Sequence, residues 1–140
     1  MHRSLYILFI LLFSINGYTA QAQDPFDALP DGFMPVVTLG ALNKITAKLT
    51  TIEVNRDETA KFGTLEITMR NCRSNPPEET PESVAFLEVI DLGHIGEPTT
   101  VFTGWMFASS PAVSPLEHAV YDVWVTDCKM VDPSASSDNE

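Results

Sequence analysis

Positive charge is scarce in this chain: 8 Lys and Arg stand against 19 Asp and Glu, a formal net charge of -11. No face can then match the phosphate density of a nucleic acid, and nucleic-acid binding is excluded. Cysteine is limited to Cys72 and Cys128, and neither has a ligand-type neighbour at zinc spacing. A thiolate metal centre is therefore the less favoured use of the pair. No Gly-x-Ser-x-Gly elbow is present to hold a nucleophilic serine. Met69, Met106 and Met130 fall singly, without the clustering that copper(I) ligation favours. Long apolar runs are missing beyond the first residues, as are internal repeats and any convincing amphipathic helix.

What is present begins with an address. Met1-His2-Arg3-Ser4 is positively charged, Leu5 to Ile15 is almost wholly apolar, and Asn16-Gly17 breaks the run. Ala20-Gln21-Ala22 then offers small residues where a signal peptidase reads them. A run of about a dozen apolar residues is too short to span a bilayer as a helix, which takes roughly 20. Residues 1–22 are expected to be a cleaved signal peptide that delivers the chain to the periplasm without an integral membrane anchor. No cysteine stands at the cleavage point, which disfavours a lipid anchor. About 118 residues remain, enough for one domain with one core. In an oxidising compartment two cysteines imply one disulfide, Cys72 to Cys128.

The exported chain divides into an acidic, Pro-containing arm over 23–39, a β domain over 40–131 and a disordered acidic tail over 132–140. Within the β domain the apolar period is two. Ile45, Ala47 and Leu49 alternate with Thr46 and Lys48, and Ile52 and Val54 continue after a slip. Asn55 to Glu58 is a turn. Leu65, Ile67 and Met69 give the cleanest half-buried strand, and counting on by twos puts Cys72 on its polar face. The bridge therefore requires a sheet edge or a bulge. Pro76, Pro77 and Pro81 keep the Asn75–Pro81 stretch out of any sheet. Ser83 to Leu92 reads as a strand buried on both faces, and Gly93 to Pro98 as a turn. The sum is an all-β fold, a small antiparallel sandwich or partly open barrel of about six strands.

The stretch from Phe102 to Cys128 holds both tryptophans, a cysteine and a histidine. It reads as strand, structured loop, strand. In the loop, Ser114 can cap a one-turn helix, with Pro115 at its first position and Glu117 closing a capping box. Ser109, Ser110, His118 and Asp122 hold the residue types of a hydrolase, but on a loop beside Pro111 the nucleophile lacks rigid placement. His94, His118, Glu117 and Asp122 hold the types of a metal site, but nothing in the sequence places His94 beside His118. Trp105, Phe107, Tyr121 and Trp124 flank the loop, as a filled core or as an exposed aromatic face that would meet an envelope protein, a glycan or a peptide. The candidate binding residues are Trp105, Ser109, Ser110, Glu117, His118, Tyr121, Asp122 and Trp124. No catalytic residue, cofactor or metal is assigned.

One group of motifs resembles a known family: Ala41-Leu42-Asn43-Lys44-x-Thr46, Phe62-Gly63-x-Leu65-x-Ile67, Cys72, Pro77-Glu78-Glu79, Gly104 to Pro111 and Val120-Tyr121-Asp122-Val123-Trp124. These are similar to the bacterial domain of unknown function 2155 over roughly Gly40 to Lys129. The resemblance implies an exported envelope protein of Gram-negative bacteria and brings no assigned activity. One departure is Ala119, where the family has proline after the histidine. The functional expectation is a non-catalytic binding or structural module of the envelope acting through 102–128. The alternative is a periplasmic metal-binding protein or hydrolase using His118 and Asp122.

Overall fold

The computed structural model describes residues 32–93, 96–132 and 134. The leader, the first part of the arm, His94 and nearly all of the tail lie outside the described residues. Seven strands run in order: β1 (Met34–Asn43), β2 (Lys48–Asn55), β3 (Thr59–Phe62), β4 (Leu65–Ser74), β5 (Ser83–Asp91), β6 (Thr99–Phe107) and β7 (Tyr121–Val131). They form two antiparallel sheets, β2-β1-β7 and β3-β4-β5-β6, which face each other without closing. The chain is an all-β sandwich.

The first strand is a correction. The sequence places Met34 to Leu39 in the arm, but β1 begins at Met34 and is the central strand of its sheet, paired with β2 and β7. Val36, Val37, Leu39 and Ala41 are buried, as a strand covered on both edges and one face requires. Pro35 sits near the strand's start, the position where a missing amide costs least. A second correction concerns residues 45–49. Lys44 to Ala47 form the turn between β1 and β2, with Ala47 at φ 54, and Ile45 and Leu49 are exposed. Their alternation marks the hairpin's end, where the Asn43 side chain accepts the Ile45 and Thr46 amides.

The core lies between the sheets. Leu65, Ile67 and Met69 of β4, Ala85, Leu87 and Val89 of β5, and Val123 and Val125 of β7 all face it. β5 is buried on one face and half-buried on the other, not on both faces as expected. On β4 the pairing passes from Met69–Leu87 directly to Asn71–Phe86, leaving Arg70 as the extra residue of a bulge. That residue restores Cys72 to the inner face, where it bonds Cys128 of β7 and ties one sheet to the other. Of the two placements that the residue count allows, a sheet edge or a bulge, the strand uses the bulge.

Candidate functional site

The segment joining β6 to β7 crosses one end of the sandwich. Its only helical turn is a 3-10 helix over Pro111–Val113, four residues earlier than the capping box predicts and at the other Ser-Pro pair. Pro111 sits at the start of this turn and the Val113 amide donates to the Ser110 carbonyl at 3.0 Å, while Ser110 makes no side-chain cap. Ser114 to Glu117 are not helical, and Glu117 is exposed. Leu116, in the same segment, is buried in the core and anchors the loop. Ser109 donates its hydroxyl and its amide to the Glu82 carboxylate. Those two bonds hold the Glu82 carboxyl below its ordinary value, the hydroxyl first.

His118 is tied down at both ring nitrogens. Nδ1 accepts the amides of Val120 and Tyr121, each at 3.1 Å, which leaves Nε2 as the protonated nitrogen, donating to Asp91 Oδ2 at 3.1 Å. The ring stacks on Tyr121 with centroids 5.2 Å apart, and Tyr121 meets Phe62 edge-on. Asp91 is lowered to about 2 by hydrogen bonds from the Thr64 hydroxyl, the Gly93 amide and His118, in that order. The pairing of His118 with Asp122 that a hydrolase or a shared metal site needs is not formed. Tyr121 points into the core, so the next residue, Asp122, projects from the opposite face of β7. Among the described residues no three His, Cys, Asp or Glu side chains gather as a metal site would require.

The aromatic set divides as well. Trp105 stands opposite Phe86 on the outer face of the four-stranded sheet, the two rings edge-to-face at 5.5 Å, and Phe107 shares that face. Tyr121 is in the core. Trp124 stands opposite Gly40 on the outer face of the other sheet, its indole lying across the glycine where a Cβ would overlap the ring. The two tryptophans thus mark opposite outer faces of the sandwich.

Asp122 and Trp124 do come together, with Pro111, Ala112, Pro115 and Val123, around a cavity of about 370 Å³ between the loop and β7. β7 ends its sheet, so one side of this strand has no strand partner among the described residues. Because the Lys44 amide donates to the Val120 carbonyl, alternation puts the polar groups of Asp122 and Trp124 toward β1. Those of Tyr121 and Val123 then point to the open side, and the Tyr121 amide is found there on His118. Val123 buries its side chain, and the residue lines the cavity. Neither the Asp122 carboxylate nor the Trp124 indole has a hydrogen-bonding partner among the described residues. The sequence reading missed Pro111, Ala112, Pro115 and Val123 as lining. The two Ser-Pro pairs were its signal, since they fix the loop that forms the wall.

Two facing antiparallel sheets, pinned to each other by one disulfide and carrying a structured loop over an open edge, define a small disulfide-bonded β-sandwich. Within that class the chain belongs to the family described as "Uncharacterized protein conserved in bacteria (DUF2155)", whose model matches residues 37–128. It is 32% identical over 88 residues to "Uncharacterized protein RP359" of Rickettsia prowazekii (strain Madrid E). That match covers 63% of this chain and 57% of the relative. No solved structure gives a significant match.

Proposed function

We propose that the protein is a non-catalytic binding module of the bacterial cell envelope that holds its partner, an envelope protein or glycan, at the cavity between Pro111–Pro115 and β7. One observation carries the reading. The polar groups around the loop satisfy one another at Ser109–Glu82 and His118–Asp91, whereas Asp122 and Trp124, on the cavity wall, are left without a described partner. A loop stiffened by two prolines against a rigid strand is a common way to present such a site. At about 370 Å³ the cavity lies near the lower end of ligand pockets, which run from about 300 to 1,000 Å³. It takes one inserted group of a larger partner. The Cys72–Cys128 disulfide supports an oxidising compartment, and with the leader at 1–22 it favours the periplasm.

The test is co-purification from a periplasmic extract with the tagged protein, comparing wild type with Trp124→Ala and, on the opposite face, Trp105→Leu. Variants are first shown by thermal melting to be folded. The expected result is a partner retained by wild type and by Trp105→Leu and lost by Trp124→Ala. Equal recovery with Trp124→Ala would remove the cavity as the site.

A further inference from the structure

Resting on the cavity reading just given, we infer that the group it accepts is an arginine side chain carried on an extended segment of a partner protein, which runs along the open edge of β7. Three features of the site point there. The first is charge. The cavity offers one carboxylate, Asp122, and no basic side chain, in a protein whose formal net charge is -11. A cation is attracted both by the pairing group and by the field around it. A sugar, by contrast, needs several hydroxyl partners, and Pro111, Ala112 and Pro115 supply no side-chain hydrogen bonds.

The second feature is the ring. Trp124 lies against Gly40, and its ring lines the cavity together with Asp122, so a guanidinium entering there has a carboxylate to pair with and an indole to pack against. Lysine, a compact ammonium, gains less from such a site because it cannot use a planar face or a two-point pair. The third feature is the strand edge. The Val123 N–H and C=O face the open side, bordered by the cavity, so a backbone laid there gains ladder hydrogen bonds while one side chain reaches the carboxylate.

The test uses the full chain with its disulfide formed. It is titrated with a capped peptide of alternating threonine and valine that has one central arginine, and with the same peptide carrying citrulline, which keeps the shape and removes the charge. Binding of the arginine peptide at least about tenfold tighter than the citrulline peptide is expected, as for loss of a charge-assisted pair. Asp122→Asn should abolish the difference. N-acetylarginine amide, which has the cation without the strand, should bind more weakly than the peptide. Equal binding of the two peptides, a difference that survives Asp122→Asn, or N-acetylarginine amide binding as tightly as the peptide would each overturn the inference. If co-purification depends on Trp124 while the arginine peptide fails, the cavity stands and only the arginine assignment falls. Loss of both would take the cavity with it.

Discussion

Gly40 and Trp124 form the pair on which the outer face of the three-stranded sheet turns. A methyl group at position 40 would occupy the place of the indole. Gly40→Ala should therefore cost about 1–3 kcal/mol by overpacking, and close to nothing once Trp124 is already alanine. Denaturant unfolding of the two single variants and the double variant reads this directly, and an equal cost in both backgrounds would show that the indole does not lie there. His118 and Asp91 are the structural counterpart. Asp91 falls from 3.8 to about 2 on folding, so its ionised form is favoured in the folded state. That stability is fully present above about pH 4 and is lost as the pH falls toward 2. Thermal melts between pH 5 and 2 should show a steeper loss for wild type than for Asp91→Asn, and parallel curves would mean that the Thr64, Gly93 and His118 bonds do not form.

Among the elements, β4 shows how one extra residue decides a covalent bond. Removing Arg70 leaves the Met69–Leu87 and Asn71–Phe86 pairings in register and Cys72 on the inner face, although it loses the ion pairs of Arg70 with Glu88 and Asp57. Thiol titration of unreduced, denatured protein should thus find none in the deletion, and free thiols there would contradict the bulge. The bulge was legible in the sequence because the period of two and the need for a bridge disagreed by one position. β1 was not. Its continuous apolar stretch, typical of a central strand, is punctuated by Pro35 and Gly40 and follows an Asp- and Pro-rich segment, so local chemistry pointed away from a strand that its neighbours enforce. The split of the aromatics was equally hidden. Alternation shows which residues share a face of one strand, but only the pairing of sheets shows that Trp105 and Trp124 face opposite ways.

Across the whole molecule, the disulfide joins β4 to β7 over a sequence separation of 56 residues. By the loop-entropy model it contributes about 4 kcal/mol. It also fixes β7 to the opposite sheet at Cys128, so the open side of the strand at Tyr121–Val125 is held without a strand on its other flank. The cavity follows from that framework: Leu116 seats the loop in the core, the prolines stiffen it, and Asp122 and Trp124 face what remains. The most direct measurement is photo-cross-linking in the living cell from a benzophenone amino acid at Ala112, on the cavity wall, compared with one at Thr59, on β3 at the far edge of the other sheet. A discrete adduct from position 112 that disappears with Trp124→Ala, and none from position 59, is the expected result. The same adducts from both positions, or an adduct from 112 that persists without Trp124, would contradict it.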